Sequence, residues 1–130
     1  MAKPARGGKR AFGEALENEA ANFLLRQGLT LVCRNFQCKL GEIDLVMHNK
    51  GTLVFVEVRF RRSSLYGNAA ETVDWRKRRK LQRTAQFYLQ RSGMANRLPC
   101  RFDVLGIAPD SSNGSLQFDW IRAAFTMTDG

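Results

Sequence analysis

The sequence predicts an α/β fold, a single domain built on a central mixed sheet with helices on both faces. Three observations lead there. Apolar residues recur at helical spacing in two long segments, one near the start and one in the second half. The remaining apolar runs alternate with polar residues or are rich in Val, Ile and Phe, as strands are. The resulting order, αβββαββ, places helices before and after a hairpin, which suits layers packed around one sheet.

Taken in order, "MAKPARGGKR" (1–10) is basic and contains Gly and Pro, with no apolar stretch after it. It reads as a flexible basic arm rather than a secretory signal. From Ala11 to Gln27, the residues Phe12, Leu16, Ala20, Phe23 and Leu24 form one helical stripe, and Gly28 suits the position just past a helix end. "LTLVCRNF" follows as a first strand, and residues 42–48 and 53–60 make a hairpin. "RRSSLYGNAA" is a loop in which Asn68 and Glu71 have capping-box spacing ahead of a long helix to about Gln90. In that helix Leu81, Ala85, Tyr88 and Leu89 form the apolar stripe, and Arg76, Arg79, Lys80 and Arg83 lie opposite. "CRFDVLGIA" is a fourth strand and "LQFDWI" a fifth, joined by the loop "PDSSNGS". The domain then spans 11–125, with 126–130 as a flexible tail.

Composition narrows the function. Apolar residues make up 44% and charged residues 25%, the balance of a soluble globular chain. No apolar run nears the ~20 residues that a membrane-spanning helix needs. Cys33, Cys38 and Cys100 are odd in number and thinly spread, which suits a reducing cytoplasm. With His48 they fit no standard zinc spacing. The absence of a Gly-rich phosphate loop and of G-x-S-x-G sets aside P-loop hydrolysis and serine hydrolysis. Lys and Arg number 21 against 12 acids, a formal charge of +9. Such an excess favours a polyanionic partner, nucleic acid first and an anionic membrane surface second. "RFRR" and "RKRRKLQR" carry Arg59, Arg61, Arg62, Arg76, Lys77, Arg79, Lys80 and Arg83. They read either as a solvated face or as a surface that grips phosphates. Tyr66 and Trp75 are placed to stack on bases, whereas Tyr88 falls on the core stripe.

The hairpin "GEIDLVMHNKGTLVFVEVRFRR" holds acids among apolar residues. A turn centred on Lys50-Gly51 pairs residues whose numbers sum to 101. Asp44 then opposes Glu57, Glu42 opposes Arg59, Val46 opposes Phe55 and His48 opposes Leu53. The other face becomes Ile43–Val58, Leu45–Val56 and Met47–Val54, wholly apolar, so this register is the consistent one. Like charges directly opposite each other destabilise a strand pair. A divalent cation would turn that repulsion into attraction; an ion network with Arg59 and neighbouring arginines would also satisfy both acids.

The hairpin, with "GEALENEAANFLLRQG" before it and "KRRKLQRTAQFYL" and "RFDV" after it, resembles the YraN-like family of bacterial proteins. That family is similar to the Holliday-junction resolvases and to the restriction-endonuclease-like PD-(D/E)xK nucleases, and the likeness runs from about Gly13 to Val104. It implies a restriction-endonuclease-like domain that uses Mg²⁺ or Mn²⁺ to hydrolyse DNA, branched or single-stranded substrates included. Asp44 and Glu57 match the metal-holding acids, and Glu14 matches an extra acid on the first helix. Glu14 would also stabilise the helix dipole with no further role. Arg59 stands where the superfamily has lysine, and arginine cannot act as a base. Lys77 or Lys80 would then supply a migrated ammonium. The alternative is a nucleic-acid-binding module that kept the fold and lost cleavage. A two-fold junction substrate would imply a homodimer by analogy alone.

Overall fold

The computed structural model describes residues 5–62, 67–110 and 112–128, with side chains from residue 10 onward. Helix α1 (Ala5–Arg26) leads into β1 (Thr30–Cys38), β2 (Gly41–Asn49) and β3 (Thr52–Phe60). A single 3-10 turn (Ala69–Thr72), helix α2 (Trp75–Ser92), β4 (Cys100–Pro109) and β5 (Leu116–Phe125) complete the chain. The five strands lie side by side in sequence order, antiparallel except for the β3–β4 pair. A parallel neighbour needs a crossover, and α2 supplies it. Among the described residues no helix is long and apolar enough to cross a membrane.

Each helix covers one face of the sheet. Ala20, Ala21 and Leu24 of α1 pack on Leu45, Met47, Val54, Val56, Leu105 and Ile107. Leu81, Ala85 and Leu89 of α2 pack on Val46, Phe55, Phe102 and Val104. The central strands β3 and β4 are therefore buried on both sides, which is why they read as nearly continuous apolar runs.

Three features differ from the sequence reading. Helix α1 begins at Ala5, ahead of Ala11, because residues 5–10 carry no apolar stripe and hydrophobic periodicity is blind to them. The Asn68–Glu71 cap opens only the short 3-10 turn, with Asn68 accepting from the Glu71 N–H at 3.2 Å. The long helix has its own cap, Asp74, which accepts from the Lys77 N–H at 2.9 Å. Between them Val73 is extended and 1% exposed, and burying it requires the break.

The third difference shapes the site. Ile43 packs on the α2 side, whereas Leu45 and Met47 of the same strand face α1. In the neighbouring strand Cys33 and Phe36 both border the α2-side cluster. Strict alternation forbids both arrangements. The phase slips at Asn35, whose φ is +50°, between the pairs Arg34–Leu45 and Phe36–Ile43. Asp44 lies across from it, at the matching slip in β2.

In β4, opposite Val56 of β3, Asp103 is fully buried and fully satisfied. Arg101 grips it with Nε at 2.9 Å and Nη2 at 3.2 Å, the Trp120 indole N–H donates at 2.8 Å, and the Ala123 N–H at 2.9 Å. Asp103→Ala strands all of these donors. It is expected to cost about 3–5 kcal/mol of stability, read as a lowered midpoint in urea unfolding.

Candidate functional site

The 101 register holds for the five pairs from Leu45–Val56 to Asn49–Thr52. Lys50 and Gly51 form a two-residue turn with φ of +50° and +86°, as a twisted hairpin prefers. The ladder stops before Asp44. There the Asp44 Oδ2 accepts the Val58 N–H at 2.8 Å, so a carboxylate takes a donor that strand pairing would give to a backbone carbonyl.

Glu57 is 8% exposed and lies on the α2 side. The Arg59 Nε is 3.4 Å and the Lys77 Nζ 3.7 Å from its Oε2. Burial pushes the Glu57 carboxyl up to about 7, and the Asp44 charge pushes the same way against Lys77 and Arg59. Burial likewise raises Asp44, opposed by the Val58 N–H, Lys77 and Arg59. The Asp44 charge thus acts on Glu57 and the Glu42 charge on Asp44, and the same two cations oppose both shifts. The expected Glu42–Arg59 pair is not formed. Glu42 instead accepts from the Gln37 Nε2 of β1 at 3.1 Å, because β2 has turned at the phase slip. The Arg59 Nε is buried and makes no hydrogen bond beyond its ion contact.

The remaining predicted residues divide sharply. Arg76, Arg79, Lys80 and Arg83 are exposed along α2, and Arg62 is exposed after β3. Lys77 turns inward to Glu57. Arg61 is only 12% exposed, donates to the Gly67 carbonyl at 3.2 Å and sits 3.7 Å from Asp119. It ties the loop after β3 to β5 and does not join the basic face. Trp75 is 61% exposed, and Tyr88 packs on Phe36 and Phe55. Tyr66 lies outside the described residues.

Glu14 is exposed and lines a cavity of about 440 Å³ together with Glu17 and Asn35. It is Glu17, one turn further along α1, that responds to Asp44: burial and then the Asp44 charge raise its carboxyl, while a 2.8 Å bond from the Asn35 amide lowers it. Sequence reasoning missed Glu17. Its signal is position, three residues before the buried Ala20 and so on the flank of the core stripe.

Among the described residues no three His, Cys, Asp or Glu side chains gather closely enough to hold an ion. The donor set at the hairpin is therefore two carboxylates. That fits Mg²⁺ or Mn²⁺, which take one or two carboxylates and complete their shell with water and phosphate oxygens. The Asp44 Oδ1 accepts no hydrogen bond from a described residue, and so is available to such an ion.

Residues 16–107 match the profile of the uncharacterised protein family UPF0102. A UPF0102 protein of Alcanivorax borkumensis is 47% identical over 117 residues, covering 90% of this chain and 93% of the relative. One of Ectopseudomonas mendocina is 49% identical over 113 residues, 87% of this chain and 92% of its own length. One of Pseudomonas syringae pv. syringae is 46% identical over 120 residues, covering 92% and 97%. The matched segment includes Asp44, Glu57, Arg59 and all of α2; Glu14 falls outside it.

The raised Glu57 carboxyl fixes a pH dependence. The folded chain binds its proton up to about 7, whereas the unfolded chain releases it near 4.5. Between those values the folded state holds more protons, so stability falls as pH rises through the window. Glu57→Gln is expected to flatten most of that slope and to raise stability at pH 8 by about 1–3 kcal/mol. A residual slope of the same sign stays with Asp44. Urea unfolding at steps from pH 4.5 to 8 checks both.

Proposed function

We propose that this chain, which belongs to the UPF0102 (YraN-like) family, is a metal-dependent, endonuclease-like protein that hydrolyses phosphodiester bonds in DNA, branched DNA included. The observation that carries the reading is the pair of acids where the hairpin ladder ends, Glu57 buried and Asp44 half-buried, with the Asp44 charge acting on Glu57 and with Lys77 and Arg59 beside them. The +9 charge and the exposed arginines of α2 support a nucleic-acid substrate. The resemblance to PD-(D/E)xK nucleases supports the reaction type.

Asp44 and Glu57 would hold Mg²⁺ or Mn²⁺. When bound, the ion polarises a phosphoryl oxygen and activates water for in-line attack. The rest falls to the chain's own groups. Asp44 is fixed by the Val58 N–H, so its other oxygen has a defined direction. Glu57 must lose its proton before it can hold a cation, and Lys77 and Arg59 favour that loss. Lys77 is the ammonium that reaches Glu57, where it can orient water or stabilise charge on the phosphate. Arg59 grips a phosphate oxygen and does not act as a base. The exposed face of α2 tracks the nucleic-acid backbone. Three free cysteines fit a reducing cytoplasm, and a two-fold junction substrate would call for a homodimer.

One observation favours a second reading, a binding module with weak or no cleavage. Glu57 is already paired with both Arg59 and Lys77, so the site can neutralise itself without an ion.

Cleavage of single-stranded, flapped and four-way-junction DNA with Mg²⁺ or Mn²⁺ separates the two. Asp44→Asn and Glu57→Gln are expected to reduce cleavage to background and to abolish the proton release that accompanies Mg²⁺ binding near pH 6.5. Lys77→Met should slow cleavage, and Arg59→Lys should preserve or raise it. If no substrate is cut while DNA still binds, the module reading takes over. Replacing Arg76, Arg79, Lys80 and Arg83 with Ala should lower the salt slope of DNA binding by about one unit per lost phosphate contact. An unchanged slope would mean that this face is only solvated.

A further inference from the structure

Beside the candidate site, between the β1–β2 turn and α2, lies a cavity of about 360 Å³. Gln37, Cys38, Glu42, Lys77, Lys80 and Leu81 line it. Lys77 is also the ammonium paired with Glu57, so the cavity opens next to the two carboxylates. Its size falls at the lower end of the ~300–1,000 Å³ typical of small-ligand pockets.

The lining has three distinct parts. Lys77 and Lys80 line the cavity from α2 and supply the positive charge that a phosphate needs. Leu81 and Cys38 give an apolar wall against which a ring can lie. Gln37 and Glu42, bonded to each other at 3.1 Å, offer an amide and a carboxylate side by side. That is a donor–acceptor edge matched to the hydrogen-bonding edge of a nucleobase. Gly41 keeps these parts together. Its φ is +153°, and a Cβ there would lie 2.9 Å from the Thr84 Oγ1 and 3.2 Å from the Lys80 Cε. Only glycine lets the turn approach α2 this closely.

We infer that this cavity is a subsite for one unpaired nucleotide, the one next to the phosphate held at Asp44 and Glu57. The inference rests on the proposed nucleic-acid reading and adds the class of substrate. A paired base hides its hydrogen-bonding edge in its partner and stays in the stack, so it cannot enter without flipping out. The site therefore selects strands with an unpaired residue at the target, such as single strands, flaps or branch points. The purely structural account of Gln37 and Glu42 is a cross-strand pair, which adds only about 0.2–1 kcal/mol to the hairpin. It predicts no base dependence at all.

The test uses the full chain without metal, so that cleavage plays no part. Fluorescence anisotropy compares short single strands that carry every base with the same strands made abasic, and with duplex. The wild type is expected to prefer base-bearing to abasic strands by about tenfold, the worth of one good hydrogen-bonded edge. Gln37→Ala should bring that ratio close to one. Lys80→Ala should weaken both strands in equal proportion and leave the ratio intact. Equal binding of base-bearing and abasic strands by the wild type overturns the subsite and spares the nucleic-acid reading. So does an equal loss on both strands in Gln37→Ala. Failure to bind any DNA overturns both. A nucleoside 5′-monophosphate arm distinguishes the source: binding of the free nucleotide with no base preference on strands would also overturn the strand subsite.

Discussion

The site depends on one hydrogen bond, from the Val58 N–H to the Asp44 carboxylate. Where a regular hairpin would continue its ladder, a side chain takes the donor, and backbone pairing between β2 and β3 ends at Leu45–Val56. This happens where the alternation of β1 and β2 slips at Asn35, turning Ile43 and Phe36 toward α2. β3 keeps its parallel ladder to β4 through Phe60 and does not follow. A bent pair beside a straight strand leaves two acids at the place where they part. Without the slip, Glu42 would face Arg59 and the hairpin would close on itself.

Energetically the arrangement runs against stability. A carboxyl moved from 4.5 to about 7 corresponds to a few kcal/mol of unfavourable interaction in its charged form. The surrounding core can carry that cost. β3 is sandwiched between both helices, and Phe55, Phe102 and Phe125 stack in sequence on the α2 side with centroids 5.3 and 4.6 Å apart. Those rings and the doubly buried strands keep β3 straight while its end holds an unfavourable charge. Local strain of this kind survives only where the surroundings over-determine it.

What could be read from the sequence follows from the same geometry. The hairpin register was legible because parity is all or nothing: a shift of one residue would have mixed polar and apolar side chains on both faces. The basic face of α2 was legible for the same reason, with a period of 3.6. The end of the ladder was not, because it depends on one positive φ at Asn35, and asparagine reports that only weakly. Arg61 looked like its neighbours in "RFRR", yet its role as a tether depends on Asp119, far away in the chain. Lys77 and Lys80 could not be told apart by spacing, since three residues place both on one side of a helix. Among the described residues of α2, Lys77 is the one whose ammonium pairs with Glu57. On α1 the sequence pointed to Glu14 alone, whereas it is Glu17, nearer the buried Ala20, that the Asp44 charge reaches.

The molecule also supplies its own control for the meaning of Glu57. Asp103, buried even more completely, is met by a bidentate arginine, an indole N–H and a backbone N–H, all within 3.2 Å. This fold can therefore satisfy a buried carboxylate completely when the carboxylate is structural. At Glu57 the two cations stand at 3.4 and 3.7 Å, and the Arg59 Nε is itself buried without a hydrogen bond. A purely structural ion network would be expected to tighten as the one at Asp103 has, because a loosely held buried charge loses Coulomb energy and recovers no solvation. Loose cations around a raised carboxyl are what a site needs if it is to exchange those contacts for others. On this comparison the slack at Glu57 supports the reading in which an ion and a phosphate complete it, and Arg59 and Lys77 hold the place of that charge until they arrive.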